Sequence, residues 1–451
     1  MQQQRDLTTG GVLSTLLRFA APVFAALFLQ SLYGGVDLLV VGQFAHTADV
    51  SGVSTGSLLM QTVTMVVTGL TMGITIYVGQ KIGQHQREAA GRAIGTGIAL
   101  FTLFGLLLLA LLAGGAGPLA RLLHAPDEAY AQTCAYIRIC GLGILFVVWY
   151  NLLGAVFRGL GDSRTPLLTV CIACVCNIAG DLLFVAGLGM GAGGAALATV
   201  LSQAISVAIS LALIARRTLP FPFHAGYLRP NPACLIKELR LGAPIALQEL
   251  LVGVSFLIIQ SVVNTIDVTA SAGVGVAEKV CGFIMLFPSS FTQSISAFVA
   301  QNMGANQPRR ARTALVCGIG TALCVAVVVS SFTFLRGDLL AALFSNDAGV
   351  IRQAHAYLKS YAIDTLLTSV LFCCVGYFNG CGHTFFVMVQ GIVGAVLIRI
   401  PAVYVLSRLF PADLFRIGLA TPMATTVQIV LSLLFLTALV RKQKGACLNL
   451  K

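Results

Sequence analysis

Leu17-Arg18-Phe19-Ala20-Ala21-Pro22 returns as Leu239-Arg240-Leu241-Gly242-Ala243-Pro244, and Gln80-Lys81-Ile82-Gly83 returns as Gln301-Asn302-Met303-Gly304. Tyr136-Ile137-Arg138 pairs with Tyr357-Leu358-Lys359, and Phe157-Arg158-Gly159-Leu160-Gly161 with Phe378-Asn379-Gly380-Cys381-Gly382, all at an offset of about 221 residues. The chain is therefore a tandem duplication. In a membrane protein this pattern points to two bundles that rock against each other around a shared midplane site, as transporters do.

Composition places it in the membrane. Of 451 residues, 57% are hydrophobic and 10% charged, against roughly 25% charged in a soluble domain. Apolar runs long enough to cross about 30 Å of hydrocarbon as helix fall near 15–44, 52–79, 93–116, 130–157, 165–187 and 192–214. The second half repeats them near 240–264, 270–300, 312–335, 354–380, 385–407 and 416–440. The runs lack the alternation of membrane strands. The expected fold is all-α, with twelve transmembrane helices in two parallel six-helix lobes. Residues 1–214 form the N-lobe, 215–238 a cytoplasmic linker marked by Pro220, Pro222, Pro230 and Pro232, and 239–451 the C-lobe with a basic tail.

The net charge of +12 follows the positive-inside rule and does not indicate a nucleic-acid partner. With the N-terminus in the cytoplasm, Arg5, Arg18, Lys81, Arg87, Arg92, Arg158, Arg164, Arg216, Arg217, Arg229, Lys237, Arg240, Arg309, Arg310, Arg312, Arg441, Lys442, Lys444 and Lys451 all lie inside, against Arg121, Arg336, Arg352, Arg408 and Arg416 outside. Both termini are then cytoplasmic, in a multi-pass protein of the cell membrane. Met1 to Thr9 ends without a cleavage-site pattern, so the first run reads as a retained helix.

Other motifs weigh little. The thirteen cysteines lie mostly within helices, which speaks against a disulfide framework, and Cys171, Cys174 and Cys176 lack the second pair a metal site needs. Gly187 to Gly194 contains a G-x-G-x-x-A pattern from Gly191 to Ala196 without the preceding strand of a dinucleotide fold, and reads as a tight packing turn. The turns after Gly83 and Gly304 read as basic anchors or as a gate. There is no phosphate-binding G-x-x-x-x-G-K-[ST] loop, so pumping would draw on an ion gradient or a partner ATPase, with no cofactor.

Five carboxylates fall within predicted helices: Asp37, Asp181, Glu249, Glu278 and Asp364. An acid at mid-bilayer costs roughly 2.5–3.5 kcal/mol and faces a bundle interior or an aqueous path. Asn177 lies one turn before Asp181 on the same face. Helical rise places Asp181 and Thr199 each roughly 9 Å below the outer ends of their helices, where they can meet, with Asp37 about 12 Å below its own outer end and Asn151 somewhat nearer the cytoplasm. Burial and like charge disfavour double ionisation of two such acids, which makes the group a proton site. The same oxygens also suit Na⁺ at Asp37, Asn177 and Asp181, and a purely structural hydrogen-bonded network is the bland alternative. In the second half, Glu249, Glu278, Lys279, Asp364 and Arg399 read as substrate-cavity residues or as packing ion pairs. Glu278 and Lys279, being adjacent, point apart. The register puts Phe372 opposite Asn151, and Ile398 and Ala402 opposite Asn177 and Asp181, so the polar site is not duplicated. Pro22 and Pro244 loosen the first helix of each half, and Pro22 is the candidate hinge beside Asp37.

Val36-Asp37 with Val41-Gly42, Gly159-Leu160-Gly161-Asp162-Ser163-Arg164-Thr165-Pro166, Asn177 with Asp181, and Gly194-Ala195-Ala196-Leu197-Ala198-Thr199 resemble the N-lobe pattern of the multidrug and toxic compound extrusion (MATE) transporters. The resemblance spans essentially the whole chain. It implies that Asp37, Asn151, Asn177, Asp181 and Thr199 form the cation-coupling cluster, and that the activity is cation-driven export of amphipathic organic cations by a monomer. Val252 and Thr368 stand where NorM-like members carry acids, with Glu249 and Asp364 about one turn away, which resembles the DinF-like branch more closely.

The leading reading is a proton-coupled multidrug antiporter, not an enzyme, with Na⁺ coupling as its variant. A lipid-linked saccharide flippase is the alternative, and would line its cavity with several Arg, whereas only Arg138, Lys279, Lys359 and Arg399 lie within helices. A membrane-embedded lipid enzyme would need a catalytic constellation that His46, His85, His124, His224, His355 and His383, scattered as they are, do not make.

Overall fold

The computed structural model describes residues 6–216, 224–411 and 413–448. Arg5, Arg217, Pro220, Pro222 and Lys451, placed above on the basic side or in the linker, lie outside the described residues, as do the side chains of Lys442 and Lys444.

Every regular element among the described residues is helical. In chain order they are α1 (Val12–Phe44), α2 (Thr47–Gly83), α3 (Arg87–Gly114), α4 (Ala116–Leu122), α5 (Tyr130–Leu142), α6 (Ile144–Gly159), α7 (Arg164–Asp181), α8 (Gly191–Arg216) and α9 (Pro232–Asn264). They continue as α10 (Val268–Gly304), α11 (Pro308–Ala342), α12 (Ala348–Gly380), α13 (Thr384–Ile392), α14 (Ile400–Leu409), α15 (Leu414–Gly418) and α16 (Ala420–Leu448). π-helical segments at Leu182–Gly187 and Val393–Arg399 continue α7 and join α13 to α14.

Among the described residues, eleven spans are long and apolar enough to cross a membrane, and α5 with α6 supplies a twelfth. That pair differs from the single helix expected over 130–157: it breaks at Gly143 and bends by 51°. At the break, Val200 of α8 lies so close to Gly143 that a methyl group there would collide with it, so the position has room only for glycine. α11 leaves helical geometry at Arg336 (φ −131°), just past the apolar run expected over 312–335. Pro22 and Pro244 both lie inside continuous helices.

Packing divides the chain into two compact units, 1–246 with 296–310, and 247–295 with 311–451. The repeat divides the sequence, whereas packing assigns the starting end of α9 and the closing end of α10 to the first unit. α9 begins at Pro232, inside the stretch read as linker, because proline is tolerated at the first helical position. Glu238 is thereby carried into a helix and is 2% exposed.

Within the first unit, α7 lies along α8 and α1, and α2 along α5 and α6. The repeated Gln-x-x-Gly segments pack on each other reciprocally. A methyl group at Gly83 would strike the carbonyl of Gln301, and one at Gly304 the carbonyl of Gln80. This close approach explains why both copies keep glycine. The turns that follow are alike too, with His85 and Asn306 at φ 57° and 56°.

In the second unit, α12 packs along α15 and α16. Its core gathers Tyr357, Leu358 and Tyr361 with Val274 and Ala277 of α10, Val403 of α14 and Ile417 of α15.

Candidate functional site

Three helices of the first unit bring the polar residues together. α1 carries Tyr33 and, one turn on, Asp37; α7 carries Asn177 and, one turn on, Asp181; α8 carries Thr199 and, one turn on, Gln203. Asn177 and Asp181 are fully buried, and Asp37 is 8% exposed. The Thr199 hydroxyl donates to Asp37 Oδ2 at 3.3 Å, and the Gln203 amide donates to the Tyr33 hydroxyl at 3.3 Å. Thr199, placed by helical rise at the depth of Asp181, bonds Asp37 on α1. The reason is helical phase: one face of α8 presents both Thr199 and Gln203 to α1.

Asp181 and Asn177 also face Asp37, yet much of the polar capacity is unspent. Asp37 Oδ1, both oxygens of Asp181 and both amide atoms of Asn177 are buried without a hydrogen-bond partner. Orphaned polar atoms on this scale are costly unless a proton or a cation shares them. The donor set of carboxylate, amide and hydroxyl oxygens fits either. Asp181 is the last residue before the π-helical segment at Leu182–Gly187, and such segments recur at functional sites.

The site adjoins a cavity of about 100 Å³ whose wall includes Tyr33, Thr64, Tyr136, Asn151, Thr199 and Gln203. Asn151 belongs to this wall: its amide donates to the Val147 carbonyl at 2.8 Å, and its oxygen accepts from the Thr68 hydroxyl at 3.1 Å. Tyr136, from a repeated triplet, lines the same cavity within electrostatic reach of Asp37 and Asp181.

Tyr33, Gln203 and Tyr136 were not expected in the site. The first two sit one turn from Asp37 and from Thr199, a spacing that would have found them. Glu238 was missed for another reason, its assignment to the linker. Both its oxygens are buried and unpartnered, near Tyr77 and Gly97.

In the second unit, buried Arg399 lies within electrostatic reach of Asp364, Tyr357 and Tyr361, and Glu278 within reach of Tyr357. Lys279 is exposed on α10, pointing away from Glu278 as its adjacent position requires. Glu249 is partly buried on α9 and is not among the groups that face Arg399 or Asp364.

These observations define an internally duplicated, multi-pass helical membrane protein. A family model described as MatE matches residues 22–183 and again 244–405, one match for each half of the repeat, and the chain belongs to this family of membrane transporters. The probable multidrug resistance protein YoeA of Bacillus subtilis (strain 168) is 26% identical over 422 residues, covering 92% of this chain and 91% of its own. The probable multidrug resistance protein NorM of Thermotoga maritima is 24% identical over 410 residues, covering 88% and 86%. A MATE structure solved in complex with MaL6 superposes with a TM-score of 0.92 over 98% of this chain and all of that one, at 19% identity.

Proposed function

We propose that this chain is a cation-coupled antiporter that exports amphipathic organic cations across the cell membrane, with the coupling cation taken up at Asp37, Asn177, Asp181 and Thr199. The observation that carries the reading is the group of buried, unpartnered oxygens of Asp37, Asn177 and Asp181, beside a cavity that Thr199 lines. The multidrug resistance named for the relatives supports the substrate class.

The coupling ion is a proton on this reading. Two carboxyls in a dry bundle are not both ionised without a compensating cation, so one proton shared by Asp37 and Asp181 leaves one negative charge stabilised by Thr199 and Asn177. A substrate cation in the same unit competes with that proton, and mutual exclusion makes exchange obligatory. Asn151 and Tyr136 shape the cavity wall, and Pro22 serves as the hinge of α1. The chain works as a monomer, with both termini in the cytoplasm.

Ethidium transport in proteoliposomes tests this, under a pH gradient and separately under a Na⁺ gradient, for wild type and for Asp181→Asn. Transport driven by pH and lost in the variant is expected. Transport driven only by Na⁺ changes the ion and keeps the site, whereas undiminished transport by a folded Asp181→Asn removes the site.

A further inference from the structure

The second unit buries a cation of its own. Arg399 closes the π-helical segment Val393–Arg399 and is 5% exposed. Its Nη1 donates to the Ser255 hydroxyl at 2.9 Å, and its guanidinium lies 4.5 Å from the centroid of the Phe256 ring. Its Nε is buried without a partner. Asp364, 2% exposed, accepts from the Thr368 hydroxyl at 2.9 Å through Oδ2, while Oδ1 has no partner. Arg399 lies within electrostatic reach of Asp364, Tyr357 and Tyr361, all buried. A ring face against a flat cation, with a carboxylate in electrostatic reach, is one way proteins hold free organic cations.

The repeat shows what this arrangement stands in for. In the register set by Pro22 and Pro244, Ser255 takes the place of Tyr33. In the register of Tyr136 and Tyr357, Arg399 takes the place of Ile178, next to Asn177. Two of the three helices that build the acidic site in the first unit, α1 and α7, therefore have counterparts that meet at a guanidinium in the second, while Asp364 comes from α12, the counterpart of α5 and α6.

We propose that Arg399 is a tethered cation occupying, in the second unit, the place that an exchangeable cation takes in the first. The second unit then keeps its charge balance throughout the cycle, and coupling runs through one exchangeable site instead of two. The inference rests on the reading of Asp37 and Asp181 as that exchangeable site. Removal of the side chain leaves a slot for a small organic monovalent cation, walled by Asp364, Ser255 and Phe256.

The test is thermal unfolding of the purified full chain in detergent, with low-millimolar guanidinium as the probe and choline at equal ionic strength as the control. Arg399→Ala should melt about 1–3 °C higher with saturating guanidinium than with choline. Wild type should not respond, and adding Asp364→Asn to the variant should abolish the response. Should Arg399→Ala fail to fold, Arg399→Gln, which keeps a donor for Ser255, carries the same comparison with ammonium as the probe. No shift in the foldable variant, an equal shift in wild type, or a shift that survives Asp364→Asn overturns the proposal. The readout is binding in the second unit, so it stands apart from Asp181→Asn transport, whose failure would overturn the proposed function alone.

Discussion

In the first unit, Asp37 and Asp181 share their surroundings with neutral partners: the hydroxyl of Thr199, the amide of Asn177 and the phenols of Tyr33 and Tyr136. In the second, Asp364 shares its surroundings with Arg399. Both arrangements hang on the same repeated scaffold, with Tyr136 and Tyr357 as matching phenols and a π-helical segment beside Asp181 and at Arg399. Duplication thus supplied the framework twice, and on the proposed reading the charge carried by one helix decides whether the counter-ion comes from outside or is already covalently attached.

The comparison breaks most sharply at the acids. Asp37→Asn and Asp181→Asn should each reduce proton-driven ethidium transport at least tenfold, about 1.4 kcal/mol or more, in protein that still folds by size-exclusion and melting criteria. Glu278→Gln, in the unit with its own cation, should reduce it less than threefold. Equal losses at all three positions would mean that the two units do the same work.

The reciprocal glycines give the next largest effect. Gly83→Ala and Gly304→Ala each push a methyl group into a backbone carbonyl, and each should destabilise by about 1–3 kcal/mol, read as a lower melting temperature. Gly320→Ala, with open space around it, should be neutral or gain up to about 1 kcal/mol of helix propensity. A large loss at only one of the reciprocal pair would show that the repeat does not pack symmetrically.

Smaller still is Thr199→Val, which removes the hydroxyl that bonds Asp37 and should cost about 1 kcal/mol of coupling, some fivefold in the substrate affinity shift between pH 6 and 8, with Thr199→Ser recovering most of it. The smallest change expected is at Tyr357, whose hydroxyl is buried and unpartnered. Tyr357→Phe removes that orphan group and should leave the melting temperature unchanged or slightly raised.

Much of this was legible in the sequence because membrane insertion constrains it hard. Twenty apolar residues in a row admit little besides a helix, and a carboxylate within such a run must be put to use, which is how Asp37 and Asp181 were found. What stayed hidden depends on partners distant in sequence. The close approach of Val200 to Gly143 at the break comes from another helix, and the bond between Arg399 and Ser255 joins residues 144 apart. Glu238 stayed hidden because proline reads as a helix breaker, while at Pro232 it begins one. Thr199 was placed at the right depth on α8, but helical phase alone could not say which acid it would bond.

The most direct test of the central claim is to count the protons released when ethidium binds to the purified protein, by calorimetry in buffers of different ionisation enthalpy. The account predicts about one proton per ethidium in wild type and none in Asp181→Asn. No proton release in wild type, or the same release in the variant, would contradict it.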